Sequence, residues 1–150
     1  MGQRESNPGE VRLSLSGPGA VHDATRAGQA YAASAGLDET DAAHLCIIVE
    51  ELVTNLYDHG GLAAADVFEL ALAATAHGTR LTLTDPGERF DPLLADSETP
   101  TPDRGGGAGL KLLRCWASEI DYQLVDGRNR LTVILPFQCP DQITRILPVG

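Results

Sequence analysis

Glu51-Leu52-Val53-Thr54-Asn55 lies late in a stretch whose apolar residues fall at helical spacing. Ala42, Leu45, Val49, Leu52, Val53 and Leu56 recur at three- and four-residue intervals, which predicts one long helix from near Asp38 to Gly60. Asp38 stands where an N-cap belongs, with a second acid, Asp41, three residues on. Successive helical residues rotate by about 100°, so Glu51 and Asn55, one turn apart, share a face that borders the apolar stripe. A carboxylate and an amide are thereby set at the rim of a pocket. Glu50 points about a quarter-turn away, and His59 continues the line one turn further.

Working outward, Val11-Arg12-Leu13-Ser14-Leu15 alternates apolar and polar, as a half-buried strand does. Gly17-Pro18-Gly19 breaks it, and an alanine-rich helix is expected from Ala20 to about Ala35, with Gly36 as its C-cap. Downstream, 67–76 and 80–84 read as strands joined by a turn at His77-Gly78-Thr79. Residues 110–118 read as a short helix, and 120–125 and 130–135 as strands around a turn at Asp126-Gly127-Arg128-Asn129. From Pro86 to Gly107 the chain is rich in Pro, Gly, Asp and Thr and has no period. A loop this long in a compact domain is usually functional, such as a lid. Residues 1–8 are expected to be a disordered lead, 9–137 the folded domain and 138–150 a loose tail. The order βααββ-loop-αββ predicts an α+β fold: a two-layer α/β sandwich with a mostly antiparallel mixed sheet covered on one face by helices.

A chain of 150 residues suits one domain. Its net charge of -10 argues against binding nucleic acid or an anionic membrane through bulk electrostatics. No apolar run approaches the roughly 20 residues a membrane-spanning helix needs, and Met1–Pro8 has no hydrophobic signal core. A cytoplasmic location is expected. Cys46, Cys115 and Cys139 are odd in number and far apart, and the first two sit among apolar residues. Buried free thiols are therefore expected, and no C-x-x-C pair supports a metal site.

Three polar segments could carry chemistry. In the first, the Asn55 side-chain oxygen is a hard ligand suited to Mg²⁺, and Glu51 could accept the proton of an attacking hydroxyl or water. The second is Asp85-Pro86-Gly87-Glu88-Arg89-Phe90-Asp91, which follows the apolar strand. A carboxylate at a strand end can accept a hydrogen bond from an exocyclic amine, and Gly87 would let backbone or water approach a ring edge. The third, Gly105-Gly106-Gly107-Ala108-Gly109-Leu110, opens a helix and offers backbone amides to phosphate, with Arg104 and Lys111 as flanking cations. Taken alone, each has a plainer reading: a solvated helix edge, an Asp-Pro-Gly turn, a flexible hinge and two surface charges.

In this order the segments resemble the Bergerat-fold ATP-binding module of the GHKL ATPases. The likeness to the stand-alone serine kinases that act as bacterial anti-sigma factors is close. It spans about 11–137 and includes His59-Gly60 and a last strand ending Leu135-Pro136-Phe137. The resemblance implies ATP and Mg²⁺ as cofactors. Asn55 would bind metal and phosphate, Glu51 would be the catalytic base, and Asp85 and Gly87 would form the adenine site. Gly105, Gly107, Gly109 and Leu110 would cradle phosphates, helped by Arg104 and Lys111. Arg89 departs from the pattern, standing where a small residue is frequent. The implied function is an ATP-dependent protein serine kinase that binds a sigma factor or phosphorylates a STAS-domain antagonist. A non-catalytic nucleotide switch is the alternative, and a homodimer is a possible assembly. A sensor histidine kinase is disfavoured, because the chain has no room for a phosphoacceptor-bearing helical hairpin.

Overall fold

Asp38 caps the long helix as its position implies, its side chain accepting a hydrogen bond from the Asp41 amide at 2.8 Å. In the computed structural model, which describes residues 9–88 and 106–138, this is helix α2, Glu39–Asp58. The expected lead (1–8), the tail beyond Gln138 and nearly all of the expected lid lie outside the described residues. Strand β1 (Val11–Leu15) and helix α1 (Ala20–Ala35) precede α2. The α1 helix ends where Gly36 and Leu37 donate their amides to the carbonyls of Ala33 and Ala32. Then follow β2 (Phe68–Ala74), β3 (Gly78–Asp85), α3 (Gly106–Trp116), β4 (Glu119–Val125) and β5 (Arg128–Pro136).

The five strands form one sheet in the order β1-β2-β3-β5-β4. Every pairing among the described residues is antiparallel, the limit of the mostly antiparallel sheet expected. Strand alternation decides its two faces. Phe68, Leu70, Leu72, Leu81, Leu83, Val133 and Leu135 pack inward against Leu45, Ile48, Val49, Leu52 and Val53 of α2 and Leu113 of α3. The other face carries Arg12, Ala71, Arg80, Thr82 and Thr132 around an open concavity. The architecture is the expected two-layer α+β sandwich. His44 of α2 stacks on Trp116 at a centroid distance of 3.7 Å, which holds the end of α3 to α2.

Three boundaries differ in ways that matter for the site. The β4–β5 turn is only Asp126-Gly127, with φ 53° and 78°, the two-residue left-handed turn that matches strand twist. Arg128 and Asn129, expected in the turn, therefore belong to β5. Helix α3 begins at Gly106, so the glycine run is not a loop before the helix but its first turn. Between β2 and β3 the chain turns at Thr75–His77, and Gly78 already belongs to the ladder opposite Pro136.

Candidate functional site

Four elements bring the expected residues to one end of the sandwich. In α2's second half Asn55 is buried toward β3 and β5, Glu51 is half-buried against α3, and Glu50 beside them is exposed. Asp85 ends β3 and is 4% exposed. In the β3–β5 register its partner is Asn129, also 4% exposed. Asp85 Oδ1 accepts from the Gly87 amide at 2.8 Å and from Asn129 Nδ2 at 3.1 Å. The chain leaving β3 lies directly on the end of α2, where the Glu88 amide donates to the Gly60 carbonyl at 2.7 Å. A Cβ on Gly87 would fall 2.5 Å from that carbonyl oxygen. The steric demand for a glycine at position 87 thus comes from the α2 terminus.

Glycine has a second role at the first turn of α3. A Cβ on Gly109 would lie 2.2 Å from Glu51 Oε2. The backbone of α3 thus rests against the Glu51 carboxylate with no room for a methyl. The first amides of a helix have no intrahelical acceptor, so the amides of Gly106–Gly109 are those free to receive an anion. Burial pushes the Glu51 carboxyl above its ordinary range, and the neighbouring Glu50 charge adds to the rise.

Leu52, Asn55, Leu56, Gly60, Leu83, Asp85, Glu88, Tyr122, Asn129 and Leu131 enclose a cavity of about 30 Å³. That volume takes a water but not a purine, so a nucleotide base must push its walls apart. The wall chemistry nevertheless suits one. Asn55 Nδ2 is buried with no hydrogen-bond partner among the described residues, an orphan that typically costs about 1–3 kcal/mol until something satisfies it. Asp85 accepts through Oδ1, and nothing among the described residues bonds its Oδ2. Apolar leucines and two amides or acids with open valences are what a flat, polar-edged ring requires.

The remaining expectations divide. Lys111 is exposed on α3 and does not line the cavity, so only the flanking reading is left to it. Arg104, Gly105, Arg89, Phe90 and Asp91 lie outside the described residues, as does the side chain of Leu110. No cluster of three His, Cys, Asp or Glu residues among the described residues could hold a metal ion alone. Mg²⁺ at Asn55 would depend on phosphate and water for its other ligands. Cys46 is half-buried, with burial raising its thiol, whereas Cys115 is exposed, contrary to expectation, because it falls on the outer face of α3. Sequence reasoning missed Asn129 and Tyr122. The Asp-Gly dipeptide was the available signal: closing the hairpin there places Asn129 in the ladder, opposite the end of β3.

Among the described residues no helix is long and apolar enough to cross a membrane. Comparison with curated proteins gave no match. Residues 15–135 match the family model for the histidine kinase-like ATPase domain, from the last residue of β1 to the second-to-last residue of β5. That span holds the whole Glu51–Asn55, Asp85–Gly87 and Gly106–Gly109 constellation, and it implies ATP as the ligand. The chain belongs to the histidine kinase-like ATPase domain family.

Proposed function

We propose that this domain is an ATP-dependent protein serine kinase of the anti-sigma-factor type, which binds a sigma factor or phosphorylates a STAS-domain antagonist and so regulates transcription by partner switching. One observation carries the reading: a partly buried acid, Glu51, stands one helical turn from Asn55, whose Nδ2 has no partner among the described residues, and packs against the Gly109 backbone in the first turn of α3. A carboxylate beside the first turn of a helix, whose amides suit phosphate, supports this reading. Asp85 would take the exocyclic amine of adenine, and the amides of Gly107 and Gly109 would receive phosphate. Asn55 would hold Mg²⁺, whose contribution when bound is to neutralise the charge that develops on the transferred phosphoryl group. Glu51 would accept the serine proton, and its raised carboxyl brings its basicity closer to working pH.

The contact between Gly109 and Glu51 also favours a second reading. With α3 packed on the carboxylate, no serine hydroxyl can reach it from that side. A non-catalytic switch, in which nucleotide only repositions α3 and changes a partner surface, needs no such access. Incubation of the chain with labelled ATP, Mg²⁺ and co-encoded STAS-domain proteins separates the two. Phosphoserine on an antagonist, lost in Glu51→Gln, is expected for the kinase. ATP binding without any phosphotransfer, unchanged by Glu51→Gln, leaves the switch.

A further inference from the structure

We propose that Asn129, held by Tyr122, is the positioning residue of the base pocket: it commits one oxygen of Asp85 and leaves the other as a fixed acceptor, so that the pocket selects a purine bearing an exocyclic amine over its 6-oxo counterpart. The inference rests on the nucleotide reading above and adds to it a residue pair and a selectivity.

Asn129 sits on the ladder opposite Asp85, so the two side chains project from neighbouring strands into the same cavity. Its Nδ2 donates to Asp85 Oδ1 at 3.1 Å and also lies 3.2 Å from the Gly87 carbonyl and 3.0 Å from the Glu88 carbonyl. Its Oδ1 accepts from the Tyr122 hydroxyl of β4. Three acceptors on one side and one donor on the other allow a single orientation of the amide, because the reverse would set oxygen against three oxygens. One small side chain therefore ties β3, β4, β5 and the exit turn together.

The consequence falls on Asp85. Two donors, Asn129 Nδ2 and the Gly87 amide, converge on Oδ1 and stop the carboxylate from turning. Oδ2 is left without a partner among the described residues, in a wall of the cavity, as an acceptor with no donor character. Such an oxygen is matched by an amine N–H and opposed by a carbonyl oxygen. A polar site of this kind rejects the analogue that cannot pair with it far better than an apolar pocket rejects a mismatch in size. A carboxylate free to rotate or to bind a bridging water would discriminate less.

The test uses the strand-compatible isosteres Asn129→Thr and Asn129→Val, which differ only in a hydroxyl able to donate to Asp85. ADP and IDP, which differ in amine against carbonyl at the purine 6-position, are titrated by calorimetry into each full-length chain. Wild type is expected to prefer ADP. Asn129→Val should lose about tenfold of that preference, the scale of one buried hydrogen bond, and Asn129→Thr should recover part of it. In the ligand-free protein the Gly87 amide should exchange faster in Asn129→Val than in Asn129→Thr. A merely structural role would weaken both nucleotides equally and leave their ratio unchanged, which overturns the proposal while the nucleotide reading stands. Equal binding of ADP and IDP by wild type overturns it too. Failure of wild type to bind either overturns the nucleotide reading itself, and the proposal with it. If Asn129→Val does not fold, Tyr122→Phe decides the matter, since it keeps the amide but frees it: a severalfold fall in the ratio is expected, and an unchanged ratio refutes the positioning role.

Discussion

Glu50 and Glu51 are neighbours in sequence and opposites in environment, one exposed to solvent and the other pressed against α3. Burial, with the Glu50 charge second, raises the Glu51 carboxyl in the folded state. The folded chain then binds more protons than the unfolded one between about pH 4.3, the ordinary Glu value, and the raised value. Stability from this group accordingly falls as pH rises through that window and stays lower above it. Glu51→Gln removes the buried charge, so at pH 7 its melting midpoint should exceed that of wild type, and the gap should close as pH falls toward 4. The same substitution should lower phosphotransfer by about 10²–10⁴-fold with ATP affinity retained, and Glu50→Gln should change neither. Asp85→Asn tests the other end of the site. It turns part of the acceptor that faces the cavity into a donor, so ADP and ATP should both weaken by roughly ten- to a hundredfold, the equivalent of about 1–3 kcal/mol. Unchanged ADP affinity by calorimetry would take base recognition away from this residue.

Two glycines at element junctions should fail differently when given a methyl. At Gly109 the clash is with the far end of the Glu51 side chain, which can swing aside. Gly109→Ala should therefore melt close to wild type yet lose phosphotransfer, because the acid is displaced. At Gly87 the clash is with the Gly60 carbonyl, held by the end of α2. Gly87→Ala should cost about 1–3 kcal/mol of stability in denaturant titration, the usual scale of overpacking. The elements themselves were legible where local physics sets them: the Asp38 cap, the Gly36 terminus, the apolar stripe of α2 and the alternation of β1. What escaped depended on partners distant in sequence. Asn129 is a turn residue by composition and becomes a site residue only through Asp85, 44 positions away. Asp41 reads as a helix-start acid, yet it is 7% exposed and accepts from the Gln138 amide, 97 positions on. Burial raises its carboxyl, against the partial offset of that amide. No periodicity encodes either contact. The glycine run was read as a place for phosphate ahead of a helix, and glycine's low helix propensity hid that the run is itself helical.

At the scale of the whole molecule the site exists only when the chain is folded, since α2, β3, β5 and α3 each supply part of it. A nucleotide that binds this assembly and not the unfolded chain must stabilise it by mass action. At a hundredfold excess over Kd the gain is about 2.7 kcal/mol, and a domain of this length gains about 2–4 °C per kcal/mol. Mg²⁺-ATP should therefore raise the melting midpoint by roughly 5–10 °C. GTP should give less, because its 6-oxo edge opposes the open oxygen of Asp85. The net charge of -10 adds a second signature. At low ionic strength the domain as a whole repels an anionic nucleotide, and the local amides of α3 act only at contact range. Screening shortens the repulsion from about 30 Å at 0.01 M salt to about 8 Å at 0.15 M, so association should speed up as salt is added. A site held together by a basic surface would slow instead. Stopped-flow binding of a fluorescent ATP analogue across that salt range distinguishes them: a rate that falls with salt would mean that cations outside the described residues, and not helix amides, draw the phosphates in.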